Sequence, residues 1–517
     1  MAQQTRKPVV LVCTSGSAAY NFAPAVAEAF FQHIPLIVIT ADRPKEWIDQ
    51  LDGQTIRQPG LYGNHVKRFF EIPQDYSTDD AMWYANRIGN EAINLAVADP
   101  YGPVHINAPF REPLYPAVQE KNPTLAAPRN IEAVPKNSSL SEGQWAEILT
   151  SLNSFQKILI VPGQLPPSHG LTPVLDALHT RHGWPMAGDI LSNLHALPFH
   201  CKHADAFLGQ MPEKLKAPLR PDLLITFGQS LVAKNLKLFL RKYAPREHWH
   251  IQTDGDTADT FQTLTRIIPV SPNYFFSEIT KRFTDQPIAR RAFSNEWVQH
   301  ESKAQEKLDA FFQTNHQITK SSNHNQGEFA FLKNVMRALP ENCNLHLANS
   351  MSVRYANHIG LTDQQKGVNV YGNRGTSGID GCTSTAVGHS LTSSLPNVLI
   401  TGDQAFFYDR NAFWHNYPMP NLFVVVLNNH GGIIFNMIDG PTGLPEAEEF
   451  FITRQGLRAK PLANEYGFSY TEGASVSLKD FFRPDGNAKI LELESSQSLN
   501  KSVFESFRKH IKKSYEA

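Results

Sequence analysis

One stretch of the sequence decides the fold, residues Asn397–Phe435, which read NVLITGDQAFFYDRNAFWHNYPMPNLFVVVLNNHGGIIF. Two short apolar runs, Asn397–Thr401 and Leu422–Leu427, flank a polar and aromatic segment of helical length. This pattern predicts two buried strands joined by a helix, and the strands of such a βαβ unit are parallel. The stretch therefore predicts an α/β domain built on a parallel sheet.

Oxygen-bearing side chains follow both runs, next to glycine. Asp403 comes after the first run, and Asn429 comes 26 positions later (429 − 403), after the second. Ligands bind where parallel strands end, so we expect this carboxylate, this amide and the backbone carbonyl of Gly431 to lie together. Such hard oxygen ligands suit Mg²⁺, which keeps phosphate oxygens among its partners. Gly-Asp and Asn-Asn are also ordinary turn residues, but the spacing and the flanking strands favour the metal site.

The bulk properties exclude several classes of protein. A chain of 517 residues suggests about three domains at ~150 residues each. A formal net charge of −1 gives no electrostatic case for nucleic acid or an anionic membrane, and no apolar run has the ~18 residues that a membrane span needs. The four cysteines, Cys13, Cys201, Cys343 and Cys382, show neither metal-type spacing nor a disulfide framework. We expect a soluble cytoplasmic protein.

The first part of the chain repeats the βαβ pattern. The run Pro8–Cys13 predicts a fully buried strand, followed by a helical pattern over Asn21–Gln32 and a second strand over Leu36–Thr40. A buried strand of a parallel sheet needs neighbours on both sides, yet little chain precedes this one. We therefore expect the first domain to lack its beginning.

The Asn397–Phe435 stretch resembles the diphosphate-binding motif of thiamine-diphosphate enzymes, which begins with Gly-Asp and ends with Asn-Asn. Other segments are similar to one branch of that superfamily, the 2-succinyl-5-enolpyruvyl-6-hydroxy-3-cyclohexene-1-carboxylate synthases of menaquinone biosynthesis. These segments are TSGSAAYNFAPAVAEA, PLIVITADRP, QTIRQPG, GPVHINAPFREPL, LHLANSMSVR and VYGNRGTSGIDGCTSTAVG. The resemblance implies an α/β fold of three doubly wound parallel-sheet domains, the first truncated at its start.

The resemblance also implies a domain order. It predicts a pyrimidine-binding domain over residues 1–115, a linker over 116–140, a central α/β domain over 141–315 and a diphosphate- and Mg²⁺-binding domain over 316–517. It further implies a homodimer or homotetramer whose active sites lie between chains.

The activity that the resemblance implies is a decarboxylation followed by a carbon–carbon bond formation. Thiamine diphosphate and Mg²⁺, with Mn²⁺ as a substitute, would serve as cofactors. The substrates would be 2-oxoglutarate and isochorismate. Loss of CO₂ from 2-oxoglutarate would give a succinyl carbanion equivalent, which adds to isochorismate in a 1,4-addition.

The resemblance assigns cofactor binding to eight residues: Ser377, Ile379, Asp403, Gln404, Asn429, Gly431, Ile434 and Phe435. Of these, Asp403, Asn429 and Gly431 would hold the metal. Gln404 stands where the superfamily most often has glycine. Ile434, with Phe435 beside it, would support the bent cofactor, although both would equally suit core positions on a strand-to-helix turn.

Both implied substrates carry two carboxylates, which arginine grips in a bidentate manner. The residues that match substrate-binding positions are Arg43, Arg354 and Arg374, supported by Gln54, Ser350 and Lys234. Lys234 lies in GQSLVAKNLK and would otherwise be a solvated helix lysine, and the neighbouring Asn235 departs from the family's frequent arginine.

One expected residue is absent from the sequence. In the superfamily, a glutamate upstream of the TSG-type motif activates the cofactor, but only MAQQTRKPVVLVC precedes that motif here. Glu28 follows the motif, on a helix pattern among alanines and phenylalanines, and is not assigned this role. We expect Met1 to be an internal methionine of a longer protein. The alternatives are a truncated cofactor-binding protein with impaired turnover, and another carboligase of the acetolactate-synthase type, whose smaller acceptor would suit the arginine set poorly.

Overall fold

Every strand pairing in the described residues is parallel, as the βαβ pattern predicts. The structure, a computed structural model, describes residues 1–111, 128–167, 170–284, 288–314, 327–437, 443–473 and 477–516. Its chain divides into two compact units. Unit 1 comprises Met1–Asn137 and Arg374–Ser377, and unit 2 comprises Ser138–Asn373 and Gly378–Ala517.

Unit 1 contains a four-stranded sheet with the order β1-β2-β4-β3. Its strands are β1 (Val9–Cys13), β2 (Leu36–Asp42), β3 (Phe69–Glu71) and β4 (Pro103–Pro109). Its helices are α1 (Ala2–Thr5), α2 (Ser17–Tyr20), α3 (Ala23–Phe31) and α4 (Asp79–Val97).

The prediction that the first strand is fully buried is wrong. In the part of the chain that the structure describes, β1 pairs only with β2 and forms the edge of the sheet. Val10 and Val12 are 52% and 68% exposed, while Val9, Leu11 and Cys13, which alternate with them along the strand, are half-buried. An unbroken apolar run cannot distinguish a strand buried on both faces from an edge strand that is apolar on both faces.

The first sheet of unit 2 has six strands in the order β10-β9-β8-β5-β6-β7. Its strands are β5 (Ile158–Pro162), β6 (Met186–Ala187), β7 (His200–Cys201), β8 (Leu223–Phe227), β9 (Glu247–Ile251) and β10 (Arg266–Ile268). The helices of this region are α5 (Glu142–Asn153), α6 (Leu171–His182), α7 (Ala204–Gln210), α8 (Glu213–Lys216), α9 (Lys234–Lys242), α10 (Pro272–Arg282) and α11 (Ile288–Thr314).

The second sheet of unit 2 has six strands in the order β12-β11-β13-β14-β16-β15. Its strands are β11 (Asn344–Leu347), β12 (Asn369–Tyr371), β13 (Asn397–Gly402), β14 (Leu422–Asn428), β15 (Ser469–Glu472) and β16 (Lys489–Glu494). The helices of this region are α12 (Glu328–Ala338), α13 (Met351–Ile359), α14 (Cys382–Ser390), α15 (Asp403–Tyr408), α16 (Ala459–Glu465), α17 (Leu478–Phe481) and α18 (Gln497–Lys513).

The two sheets of unit 2 share a hydrophobic core. One continuous cluster of buried side chains includes Leu159 of β5, Trp297 of α11 and Val425 of β14. Because burial of apolar surface dominates folding, this shared core explains why the two α/β regions form a single unit.

The α/β fold class is confirmed, whereas the predicted domain boundaries stay predictions. The boundary at 115 and the beginning of the 116–140 linker lie outside the described residues, as does the boundary at 315. Residues 128–140 contain no helix or strand. All four cysteines are free. Among the described helices, none is long and apolar enough to cross a membrane.

Candidate functional site

The two strands predicted from the Asn397–Phe435 stretch lie side by side and end together. Gly402 of β13 is paired with Leu427 of β14. Asp403 is therefore the first residue of α15, at the carboxyl end of β13, and it lies on the same side of the sheet's ends as Asn429, which follows β14. Both side chains are buried, with 2% and 5% of their surface exposed.

The buried Asp403 carboxylate has an environment that suits a cation. Its Oδ2 accepts a hydrogen bond from Gln455 Nε2 at 2.7 Å, and burial raises the pKa of Asp403. Ionising a carboxylate at this depth is costly unless a positive charge balances it. Among the described residues, no group of three or more His, Cys, Asp or Glu side chains could hold a metal ion. A metal at Asp403 would therefore draw on amide and carbonyl oxygens, as Asn429 and Gly431 offer.

A buried glutamate that the sequence analysis missed holds the Asn429 amide. Asn429 Nδ2 donates to Glu328 Oε1 at 2.7 Å, and Gln497 Nε2 donates to Asn429 Oδ1 at 3.2 Å. Burial, reinforced by the charge of Asp403, raises the pKa of Glu328 to about 7. Because Glu328 binds the amide nitrogen, the amide oxygen is turned away from it. The sequence shows only an acidic residue at the first position of a helix, which is common, so no local signal identifies this role.

We expect Glu328→Ala to raise the Mg²⁺ concentration needed for cofactor binding by about tenfold, as loss of a residue that orients a metal ligand does. Without the acceptor, the Asn429 amide can rotate. Glu328→Gln retains an oxygen acceptor and should stay closer to the unchanged protein. The measurement is a Mg²⁺ titration of the tryptophan fluorescence change caused by thiamine diphosphate. Glu505→Ala, which alters an exposed residue of α18, is the control, and an unchanged titration for Glu328→Ala would refute the role.

Gly431 lies where a side chain cannot fit. A Cβ atom there would come within 2.8 Å of the Ile452 carbonyl oxygen. The Gly431 carbonyl accepts the Ile433 N–H at 3.0 Å, and a carbonyl oxygen has a second lone pair for another partner. The close packing explains why glycine occupies this position, and the Gly431 carbonyl oxygen keeps a lone pair that could bind a metal ion.

The Gln404 side chain has protein partners that glycine could not provide. Its Nε2 donates to the carbonyl oxygens of Ile452 at 2.8 Å and Thr453 at 3.2 Å. These bonds fasten the C-terminal end of a π-helical turn, Ala447–Ile452, beside α15. The departure from glycine thus has a structural reason, and a contact between Gln404 and the cofactor stays a prediction.

A cavity of about 260 Å³ in unit 2 brings together several of the predicted residues. Lys234, Arg354 and Ile434 line it. Phe435 instead packs against Phe451, with ring centroids 5.5 Å apart. Ile434 therefore links the segment that follows Asn429 to a cavity that carries positive charge.

The backbone at Ser350 orients Arg354. Ser350 precedes α13 with φ 70°, a left-handed conformation that is strained for serine. Arg354 Nη1 donates to the Ser350 carbonyl oxygen at 2.5 Å. Strained backbone of this kind concentrates at functional sites, and here it adjoins the cavity.

Asn235 belongs to the scaffold of the cavity. Its backbone N–H donates to Asp205 Oδ1 at 2.6 Å, and its Nδ2 donates to the Asp205 carbonyl oxygen at 2.9 Å. These bonds join the start of α9 to α7 and place Lys234 as the first, exposed residue of α9.

The other predicted residues belong to unit 1, except Ile379 of unit 2. Unit 1 contains Arg43, Gln54, Arg374 and Ser377. Arg43 directly follows β2, and Gln54 and Ser377 are exposed with φ 58° and 63°. Ile379, in unit 2, is 37% exposed.

Glu28, which the sequence analysis left without a role, holds the segment between Arg374 and Ser377. Its carboxylate accepts the N–H groups of Gly375 and Thr376 at 2.9 and 2.6 Å, and the Thr376 hydroxyl at 2.7 Å. Glu28 lies 347 positions from Gly375 in the chain, so no local sequence pattern could have predicted this contact.

Two models of thiamine pyrophosphate enzyme domains match parts of the chain. A model described as the N-terminal TPP binding domain of thiamine pyrophosphate enzymes matches residues 1–61, and a model of the middle domain of thiamine pyrophosphate enzymes matches residues 128–347.

Several 2-succinyl-5-enolpyruvyl-6-hydroxy-3-cyclohexene-1-carboxylate synthases are similar to the chain over nearly its whole length. The protein from Cytophaga hutchinsonii is 45% identical over 520 residues, covering 100% of this chain and 89% of the relative. The protein from Flavobacterium johnsoniae is 37% identical, covering 99% and 89%. The protein from Porphyromonas gingivalis is 36% identical, covering 99% and 87%.

A solved structure shares the fold. An X-ray structure described as a thiamin diphosphate-dependent enzyme from Mycobacterium smegmatis matches with a TM-score of 0.67 and 15% identity, covering 96% of this chain and 89% of that one. At this identity the match bears on the fold alone.

Proposed function

Since the chain belongs to the family of 2-succinyl-5-enolpyruvyl-6-hydroxy-3-cyclohexene-1-carboxylate synthases, we propose that it decarboxylates 2-oxoglutarate and adds the succinyl carbanion equivalent to isochorismate. The reaction is a transferase step of menaquinone biosynthesis. The observation that carries the proposal is the positively charged cavity lined by Ile434, five positions beyond Asn429 (434 − 429).

The residues at the sheet edge fit the cofactors. Asp403, Asn429 and the Gly431 carbonyl would hold Mg²⁺, or Mn²⁺ in its place, and through it the diphosphate. Thiamine diphosphate, when bound, supplies a carbanion that adds to a 2-oxo acid and accepts the electrons left by CO₂ loss. The requirement of the buried Asp403 for a balancing cation supports this assignment.

The cavity residues bind and orient the substrates. Arg354 and Lys234 would pair with substrate carboxylates, while the carbonyl of Ser350 fixes the direction of the Arg354 side chain. Ile434 would support the cofactor and exclude water from the reacting atoms. Two cations in the lining of one cavity suit a dicarboxylate better than they suit the small acceptor of an acetolactate-type enzyme. An acetolactate-type activity is therefore not favoured.

The same roles extend to unit 1 as proposals. Arg43 and Arg374 would bind substrate carboxylates, with Gln54 in support, and Ser377 would contact the cofactor. Glu28 would keep the Arg374–Ser377 segment in place through its three hydrogen bonds.

We further propose that the protein works in the cytoplasm as a homodimer or homotetramer. The family's active sites combine domains of two chains. Large aromatic side chains that a partner chain would cover are exposed here, including Trp414 at 83% and Tyr417 at 68%.

The experiment that tests the function is CO₂ release from 2-oxoglutarate by the purified protein with thiamine diphosphate, Mg²⁺ and isochorismate. We expect release that depends on isochorismate, one product molecule per CO₂, and loss of activity with EDTA that excess Mg²⁺ restores. CO₂ release that is coupled to pyruvate as acceptor and ignores isochorismate would reject the synthase in favour of another carboligase.

A further inference from the structure

The cavity of unit 2 contains a third cation, which the sequence analysis did not single out. Arg508 of α18 lines the same cavity as Lys234 and Arg354. We propose that Arg508 binds a carboxylate of the isochorismate acceptor, and this proposal rests on the synthase function above.

The apolar face of α18 directs Arg508 toward the cavity. Phe504, Phe507 and Ile511 of this helix are buried and line the cavity as well. Arg508 lies four positions after Phe504 and three before Ile511, so it shares their side of the helix. Its guanidinium carbon lies 4.6 Å from the centre of the Phe504 ring. Stacking on a ring fixes the guanidinium plane and presents its N–H edge, which is the part that grips a carboxylate.

The charge of the cavity lining matches a dicarboxylate. Lys234, Arg354 and Arg508 carry three formal positive charges and Asp205, whose pKa burial raises, carries one formal negative charge, which leaves a formal charge of +2 (3 − 1). His358 adds none, because burial, together with the nearby charge of Arg508, lowers its pKa to about 3. With Arg354 assigned to the donor, Lys234 and Arg508 are left for the two carboxylates of isochorismate, and without Arg508 one of these carboxylates would have no cation among the residues that line the cavity.

The exposure of the cations indicates which substrate Arg508 meets. Arg508 and Lys234 are exposed, whereas Arg354 and Ile434 are partly buried. The 2-oxoglutarate carbonyl must reach the cofactor, so this donor binds toward Ile434. The acceptor arrives after CO₂ has left and binds nearer the exposed residues, within reach of Arg508.

The test is steady-state kinetics of the full chain with thiamine diphosphate and Mg²⁺, varying one substrate at a time. We expect Arg508→Ala to raise the KM for isochorismate about tenfold, the effect of losing one charge-assisted hydrogen bond. Its kcat and its KM for 2-oxoglutarate should stay within about twofold, since a contact kept throughout the reaction affects KM alone. Arg508→Lys keeps the charge without the planar fork and should raise the KM for isochorismate only about threefold.

The matched control is Lys509→Ala, which removes a neighbouring exposed cation that does not line the cavity. An equal KM for isochorismate in Arg508→Ala and Lys509→Ala would overturn the proposal, as would a rise confined to the KM for 2-oxoglutarate. Calorimetric titration with isochorismate separates this proposal from the function itself. If the unchanged protein binds isochorismate without turning over, the synthase function fails, and Arg508 is still supported by weaker binding in Arg508→Ala or refuted by equal binding.

Discussion

Asp403→Asn is expected to lower CO₂ release from 2-oxoglutarate on the order of 100-fold or more, since even residues behind the metal ligands contribute 10- to 100-fold. The substitution keeps the size of a side chain that is 2% exposed and accepts a hydrogen bond from Gln455. It removes only the negative charge. Mg²⁺ prefers charged oxygen ligands, so the neutral amide should hold both the cation and the diphosphate more weakly.

The measurements for Asp403→Asn are turnover, the Mg²⁺ requirement and the thermal midpoint without cofactors. The cofactor-free protein should be at least as stable as the unchanged one, because burial opposes ionisation of Asp403 and raises its pKa. This combination of lost activity with retained stability distinguishes a ligand from a structural residue. Asp480→Asn, which alters an exposed aspartate of α17, should leave all three unchanged. Full activity of Asp403→Asn at limiting Mg²⁺ would show that Asp403 is not a metal ligand.

The parts of the site that the sequence predicts are those in which neighbouring residues carry the information. Strands β13 and β14 agree with the predicted runs to within one residue at each end, because each run is short, apolar and rich in β-branched residues and is flanked by Gly402 or by asparagines. Parallel pairing then brings Asp403 and Asn429 to one edge. The family resemblance is confirmed by relatives that match over nearly the full chain.

The parts that the sequence does not predict depend on contacts between distant segments. Glu328 meets Asn429 across 101 positions, and Glu28 meets Gly375 across 347. Arg508 had a local signal, since it lies beside the apolar face of an amphipathic helix, but a basic residue there more often covers apolar surface with its stem. Only the position of Arg508 in the cavity lining distinguishes a substrate-binding arginine from one whose stem covers apolar surface. The prediction that β1 is fully buried is wrong for the same reason, because the exposure of a strand depends on which elements pack around it.

Arg354→Ala is expected to lower kcat/KM for 2-oxoglutarate on the order of 100-fold, equivalent to about 2.7 kcal/mol of transition-state stabilisation. The Arg354 guanidinium lines the cavity together with Ile434 and is the least exposed of the cavity's three cations. A charge-assisted pair gains strength where water is excluded. Arg354 lines the cavity beside Ile434, where the donor carbonyl must react, so its loss should disturb the orientation of the reacting group and lower kcat as well as raise KM.

The conservative substitution identifies the chemistry that Arg354 provides. Arg354→Lys restores the charge but not the planar fork, so we expect it to recover about tenfold of the loss. Arg483→Ala, which removes an arginine that is 78% exposed and paired with Asp480, should behave as the unchanged protein. Arg354 Nη1 also bonds to the carbonyl of the strained Ser350, so circular dichroism and the thermal midpoint must accompany the kinetics. If Arg354→Ala is folded and keeps kcat/KM within about twofold, Arg354 does not bind the donor, and the cavity's preference for a dicarboxylate rests on Lys234 and Arg508. If it loses activity while Arg354→Lys recovers it in part, the positive charge of the cavity is what selects the substrate, and the bidentate grip accounts for the activity that lysine does not restore.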